Sequence, residues 1–384
     1  MVFNSLEFLI FILLFFILWP FCRKYNNSRW ILIIISSLIF YGWWDWRFLF
    51  LIVFSGVLDF FLGLQIARAK KKFAWLLISI ISNLGFLSIF KYSVFFATIL
   101  EDFFLLFNIK TDFISAIPEF ALILPVGISF YTFKTLSYTI DVYRGKLEPS
   151  RNFLHFASFV VLFPELVAGP IIRAKDMLRQ LAKCRIPNQQ EVWNAFKLIA
   201  FGFFQKTVIA DNLSLFVDSA FEAKSGFNGG IYWWVVMVAF SFQIYCDFSG
   251  YSAIARGIAK LMGYHFKMNF NHPYISKSLR EFWTRWHISL SEWFRDYVYI
   301  PLGGSRKGML FGLYALTVTM LLSGLWHGAN YTYILWAMVH IFFLAIERIT
   351  KWPKYFKRLN VVVTLIVFVQ ALFAWVFFRA ESVS

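Results

Sequence analysis

The sequence is poor in charge, and poorest in acid. Of 384 residues only 15% are Asp, Glu, Lys or Arg, against ~25% in ordinary soluble domains. So little polar material cannot solvate a globular surface, which argues against a soluble enzyme and against a disordered chain. Cysteine is scarce: Cys22, Cys184 and Cys246 lie far apart, so neither a disulfide framework nor a zinc site is indicated. The six histidines, His155, His265, His272, His287, His327 and His340, show no metal-ligand spacing. No Gly-x-Ser-x-Gly elbow and no His-Glu-x-x-His motif occurs, so an ordinary hydrolase is not indicated either. The stretch Met1–Phe21 lacks a basic start and a small-residue cleavage site, and Cys22-Arg23-Lys24 follow it. It reads as a retained first span rather than a signal peptide. The absence of an internal repeat weakens an inverted-repeat transporter.

What the chain has instead is apolar and aromatic mass. Hydrophobic residues make up 60% and Phe, Trp and Tyr 22%. At ~20 residues per crossing this suffices for about eleven spans. The expected fold is therefore all-α: a polytopic helical protein, because lipid offers backbone groups no outside partner. Apolar runs occur at Phe8–Phe21, Ile31–Trp44, Phe48–Ala67, Phe73–Phe90, Val94–Phe107, Phe120–Tyr138 and Phe153–Ile172. They continue at Trp193–Ile209, Ile231–Gly263, Met309–Trp326, Thr332–Ala345 and Val361–Phe378.

Lys plus Arg number 37 and Asp plus Glu 21, a net charge of +16. In a soluble chain this excess would suggest nucleic acid. Here it reads as cytoplasmic loop charge, part of which could attract an anionic lipid or substrate. Arg23, Lys24 and Arg29, then Arg68, Lys70, Lys71 and Lys72, face the cytoplasm on this rule, and the N-terminus lies outside. Arg173–Arg185, Arg306 with Lys307, and Lys351, Lys354, Lys357 and Arg358 also fit inside, while Asp211, Asp218 and Glu222 fit outside. Arg144, Lys146 and Arg151 fall on the wrong side unless an apolar run between Lys91 and Arg151 is half-spanning.

Ser278–Ile300 breaks the pattern. Ser278 and Glu281 have capping-box spacing. At 100° per residue, Phe282, Trp283, Trp286, Leu290, Trp293, Phe294 and Tyr297 share one arc. One amphipathic helix is expected here, lying along the cytoplasmic interface, with His287 at the edge of its aromatic face. Gly303-Gly304-Ser305-Arg306-Lys307-Gly308 follows as a flexible basic turn. It lacks the ending of a Walker loop, and reads either as plain loop charge or as an anchor for cofactor phosphates.

Two stretches set polar groups into apolar runs, where ionisable residues are expensive. In Gln243–Ser252, Asp247 is either functional or part of helix–helix packing. In Ser323-Gly324-Leu325-Trp326-His327-Gly328-Ala329-Asn330, His327 stands between two runs with glycines on both sides. Its imidazole can take a proton from a hydroxyl near neutral pH, or it is simply a histidine at a membrane-edge turn.

Phe282-Trp283-Thr284-Arg285-Trp286-His287-Ile288-Ser289-Leu290-Ser291, with Arg295-Asp296-Tyr297 and Tyr299-Ile300-Pro301-Leu302-Gly303-Gly304, closely resemble the bacterial membrane-bound O-acyltransferase family, in its alginate O-acetyltransferase-like branch. Phe163-Pro164 with Ala168-Gly169-Pro170, Asp247–Ser252, Asn269-Phe270-Asn271 with Pro273-Tyr274, and Gly324–Gly328 match in the family's order. The resemblance spans most of the chain and implies a single domain, 1–384. It implies a ring of helices around a central tunnel, with interfacial and re-entrant helices. It implies acyl transfer from a thioester, acetyl-CoA being the expected donor, to a hydroxyl of an exported polysaccharide or of an extracytoplasmic relay protein. His327 falls on the family's catalytic histidine and His287 on its second candidate. Trp286, Trp326, Asp247, Asn330, Arg306 and Lys307 are expected to bind substrate, with Asn330, Tyr331 and the N–H groups near Gly328 facing the developing oxyanion. No metal and no nucleic acid is expected; membrane lipid is.

The sequence departs from the family pattern at Ala253, where an acidic residue is common, and at Ala337 and Ile341, where glycines are usual. Phe373–Ala380 resembles a motif that is not usually terminal, so the chain is expected to be a short member or to lack its last C-terminal helices. Two rivals remain: D-alanyl transfer from a carrier-protein thioester to teichoic acid, and a transporter of polysaccharide or lipid without covalent chemistry.

Overall fold

The computed structural model describes residues 1–166, 169–222, 229–356 and 359–382; Ala168, Lys357 and Arg358 of the motifs above lie outside them. Among the described residues there is no β-strand. Six helices are long and apolar enough to cross a membrane, and Leu6–Cys22 is a shorter apolar one. The chain is a multi-pass membrane protein. It divides into two compact units, Met1–Ala195 with Ala255–Phe266, and Phe196–Ile254 with Lys267–Ser384.

The first unit contains α1 (Leu6–Cys22), α2 (Asn26–Gly42), α3 (Leu49–Arg68), a long composite helix α4 (Lys72–Leu105), α5 (Ile128–Tyr143), α6 (Phe153–Val160) and α7 (Ala174–Ala182). The runs Phe73–Phe90 and Val94–Phe107 are not separate spans. They form one helix of 34 residues, continuous through a π-turn at Ser88–Tyr92. At 1.5 Å per residue it is ~51 Å long. One crossing is thereby removed, and Arg144, Lys146 and Arg151 fall on the side of Lys70, Lys71 and Lys72. The packing agrees, since Tyr143 shares a surface depression with those three lysines and its ring lies 6.4 Å from that of Phe73.

The run Phe153–Ile172 does not cross either. It folds as the eight-residue α6 and one turn at Phe163–Leu166, with Phe156, Phe159 and Phe163 fully buried. These differences from the expected tally have one cause. Apolar runs serve protein cores as well as lipid, and run length alone does not tell the two apart.

The mainly apolar core of this unit also holds polar pairs. Asp59 on α3 accepts hydrogen bonds from Ser79 Oγ (2.6 Å) and Asn83 Nδ2 (2.7 Å) of α4, and Thr135 of α5 donates to Asn83 Oδ1 (3.1 Å). Lys134 on α5 pairs with Glu165 at 2.9 Å, both side chains essentially without solvent contact. Such side-chain bonds join helices where surrounding lipid supplies no hydrophobic drive.

The second unit begins within α8 (Gln189–Phe203) and contains α9 (Asp211–Glu222), most of α10 (Gly230–Leu261), α11 (Leu279–Arg285), α12 (Ile288–Phe294), α13 (Met309–His327), α14 (Tyr331–Thr350) and α15 (Asn360–Arg379). The long run from Ile231 is a single 32-residue helix. Its aromatic core gathers Phe282, Trp286, Trp336 and Trp375, each at most 3% exposed.

Ser278–Ile300 is not one helix. Ser278 Oγ accepts the N–H of Glu281 at 2.9 Å, as the capping spacing predicted. The helix then stops at Arg285, Trp286 is extended, and His287 takes the left-handed conformation with φ 41°. Asn269 supplies the reason. Its carbonyl accepts the N–H of Ile288 (2.8 Å), its Oδ1 accepts Ser289 N and Oγ (3.1 and 2.9 Å), and its Nδ2 donates to Ser252 Oγ (3.1 Å). A segment distant in sequence thus replaces the helix's own hydrogen bonds, and helical periodicity carries no sign of it. The Asn269-Phe270-Asn271 motif is accounted for by this clamp.

Candidate active site

His327 is the last residue of α13. Its ring sits among three others, with centroids 4.9 Å from Trp326, 5.1 Å from Trp336 and 5.3 Å from Phe378. The side chain is half-buried. The flanking glycines are there for close approach. A Cβ on Gly324 would meet the Tyr333 carbonyl and Ala337, and one on Gly328 would overlap the Tyr333 ring. Gly328 itself is extended, so packing, not unusual dihedrals, requires glycine there.

His287 is not at the edge of an interfacial face: it is 1% exposed. Its ring meets Phe248 at 4.8 Å and Trp326 at 5.9 Å, and neither nitrogen has a partner in another described residue. Burial pushes its pKa from the ordinary 6.5 down to about 3, because the apolar surroundings penalise the charged form. At neutral pH the imidazole is uncharged and a poor proton acceptor. Below about pH 6.5 the unfolded chain binds a proton that this ring refuses until about pH 3. Its contribution to stability is therefore complete above pH 6.5 and declines as pH falls through that window. His287→Asn removes the titration and keeps a side chain tolerant of positive φ. Thermal midpoints measured from about pH 6.5 to about pH 4 are expected to fall less steeply in this variant than in the wild type; identical slopes would show that His287 does not titrate this way.

A cavity of about 850 Å³ runs beside α13. Leu316, Thr319, Met320 and Ser323 line it at three- and four-residue spacing, one face of the helix, and His327 is the next residue on that face. Leu344, Glu347 and Arg348 of α14 and Lys351, just after it, also line the cavity. Arg280, Arg295, Arg348, Lys351 and Lys354 bring five cations against Glu292 and Glu347. Glu347 is already engaged, accepting Leu279 N at 2.7 Å. Arg348 Nη1 donates to Tyr299 Oη at 3.2 Å, and that hydroxyl lies 2.9 Å from Ser305 Oγ. Trp283 closes the cavity on the side of Trp336, with ring centroids 5.7 Å apart.

The structure brings His327, His287 and Trp326 together and places the other expected residues elsewhere. Asp247 pairs with Lys206 at 2.6 Å, and Lys206 also holds Asp211 at 2.8 Å; the residue of that motif that touches His287 is Phe248. Trp286 is a core residue stacked on Phe282 at 5.6 Å. Asn330 caps α14, accepting Thr332 N at 3.1 Å and donating to the Glu381 carbonyl at 3.2 Å. The Gly328 N–H is donated to Gly324 O at 3.3 Å and Tyr331 is 40% exposed. Of the basic turn, Ser305 lines the cavity, while Arg306 and Lys307 are exposed outside its lining. Sequence reasoning missed Arg280, Arg295, Arg348, Lys351 and Lys354. The last residues of α14 repeat at helical spacing, 344, 347–348 and 351, and that signal was readable.

Fold and site together define a polytopic membrane protein with a cavity lined by five cations and by one face of the helix that ends in His327. The sequence model of the membrane-bound O-acyltransferase family matches residues 148–382. The chain is 41% identical over 366 residues to the "Probable alginate O-acetylase" of Pseudomonas putida, covering 94% of this chain and 73% of that protein. It is 33% identical over 382 residues to the peptidoglycan O-acetyltransferase of Helicobacter pylori, covering 91% and 71%. Similarity to the teichoic acid D-alanyltransferase of Streptococcus thermophilus is 32% over 249 residues, covering 61% and 59%. The chain belongs to the membrane-bound O-acyltransferase family, and its substrates include an acyl donor.

Proposed function

We propose that this chain is a membrane O-acetyltransferase. It takes an acetyl group from a cytoplasmic thioester, acetyl-CoA, and passes it to a hydroxyl on an exported polysaccharide or on an extracytoplasmic relay protein. The bacterial inner membrane, with the N-terminus outside, is the location that fits the loop charge. One observation carries the reading: five cations line the cavity, and α13 lines it as far as Ser323, one turn before His327. A phosphate-bearing donor suits that lining, and His327 stands at the opposite end of α13 from Met309 and the basic turn. The acceptor then reaches His327 from the far side, so transfer of the acyl group is also its export.

In this mechanism His327 takes the proton of the acceptor hydroxyl as its oxygen attacks the thioester carbonyl. The C–O bond forms, the C–S bond breaks, and the departing thiolate recovers the proton from His327. His287, neutral and enclosed, holds Trp326 and the neighbouring rings in place and does not exchange the proton. The aromatic rings packed beside the half-buried His327 restrict its exposure to water, which limits hydrolysis of the donor.

The alginate and peptidoglycan acetyltransferase relatives cover nearly the whole chain, whereas the D-alanyl relative covers 61%, which favours acetyl transfer. Vesicles containing the protein and given labelled acetyl-CoA at the basic face separate the readings. Label on an acceptor at the other face supports acetyl transfer; acceptor movement without label would favour a transporter. The Arg348→Gln/Lys351→Gln variant is expected to raise KM for acetyl-CoA about tenfold with kcat nearly unchanged, the size of one charge-assisted contact. An unaltered KM would remove the cationic lining from the donor site.

A further inference from the structure

One face of α14 connects the cationic cavity to His327. Lys351, Arg348, Glu347 and Leu344 line the cavity. His340 comes four residues before Leu344 on the same face, and Trp336 four before that. Trp336 touches both histidines, its ring 5.1 Å from His327 and 4.9 Å from His340. On its other side His340 stands edge-on to Trp283 at 5.0 Å, and Trp283 lines the cavity. His340 thus lies between the end of the cavity and the proposed base.

His340 is 1% exposed, and neither ring nitrogen has a hydrogen-bond partner among the described residues. The indole N–H groups of Trp283 and Trp336 and the hydroxyl of Thr332, one turn before Trp336, are buried and unpartnered in the same sense. Buried polar atoms in native proteins are nearly all paired. Several unpaired ones gathered along one path mark a place where the partner comes from outside the chain. Packing alone would be served better by phenylalanine at position 340, which fills similar space without two desolvated nitrogens.

We propose that His340 positions the acyl donor, its neutral imidazole N–H donating a hydrogen bond to an oxygen of the thioester arm as that arm passes Trp283 towards His327. The proposal rests on the reading that a thioester enters through the cationic cavity. His340 gains and loses no proton in the reaction; it is a positioning residue, and its effect falls on donor binding.

The test compares His340→Phe and His340→Gln with the wild type, using the full chain in lipid vesicles and acetyl-CoA as donor. In His340→Phe, KM for acetyl-CoA is expected to rise about fivefold or more while kcat changes by less than about twofold. The thermal midpoint of His340→Phe should equal or exceed that of the wild type, since two unpaired nitrogens are gone. His340→Gln keeps an N–H donor and is expected to recover much of the lost affinity. An unchanged KM in His340→Phe would overturn the proposal. Equal loss of kcat and of thermal midpoint in both variants would also overturn it, since that is the mark of a purely structural residue. If the wild type itself does not use acetyl-CoA, the donor reading falls and this proposal with it; if it does and His340→Phe matches it, this proposal alone falls.

Discussion

His327→Ala lowers acyl transfer by about 10²–10⁴-fold, the usual contribution of a general base, and leaves the amount and thermal midpoint of the membrane-inserted protein close to wild type. The separation of the two effects follows from the site. His327 is half-buried at a helix end, and its ring meets those of Trp326, Trp336 and Phe378. Those rings are held independently, Trp336 against Trp283 and Trp375 and Phe378 against Trp375. Removing the imidazole takes away the proposed proton acceptor while these ring contacts persist. His327→Gln is the stricter control, since it fills the space and can hydrogen-bond but cannot take up the proton. Labelled acetyl transfer per mole of purified protein is the measurement, and undiminished transfer in either variant would sink the assignment of His327 as base.

Lys134→Met is expected to destabilise the first unit by about 3–5 kcal/mol, the effect of stripping one partner from a buried ion pair. Lys134 and Glu165 are 2.9 Å apart, with side chains 2% and 1% exposed. The ammonium also lies over the Phe159 ring at 4.9 Å. Without Lys134, the Glu165 carboxyl faces apolar neighbours that cannot solvate its charge. The double variant Lys134→Met/Glu165→Leu leaves no charge behind, so it should recover most of the loss. Thermal midpoints of detergent-solubilised protein complete the cycle. A single variant as stable as the wild type would mean that the pair contributes nothing, and a double variant worse than either single one would mean that the residues act separately.

Much of the fold was legible because composition and lipid together allow little else. Low charge and long apolar runs specify membrane helices. The motif residues led to His327 because imidazole between apolar runs is uncommon and its neighbours are distinctive. Which runs cross was not legible. Phe73–Phe90 and Val94–Phe107 join in one helix, while Phe153–Ile172 packs inside its own unit. The two changes compensate, which is why the basic segments at Arg68–Lys72 and Arg173–Arg185 were assigned to the same face despite both. At the site, Asp247 stands out as an ionisable residue in an apolar run and Asn330 by its place beside the His327 motif; in the structure Asp247 pairs with Lys206 and Asn330 caps α14. A polar side chain in an apolar run shows only that a partner is required, not which one.

The sequence by itself determined the helical membrane class, because that depends on composition, and it singled out the histidine at the end of α13 through its neighbours in the chain. Tertiary structure alone decided the break at His287, made by Asn269, which lies twenty residues before the Ser289 it holds, and the cavity whose cations come from α11, the segment after α12, α14 and the turn beyond it. Hydrogen bonds and charges that meet across such distances leave no periodic trace in the chain, because the groups that make them become neighbours only when the helices pack.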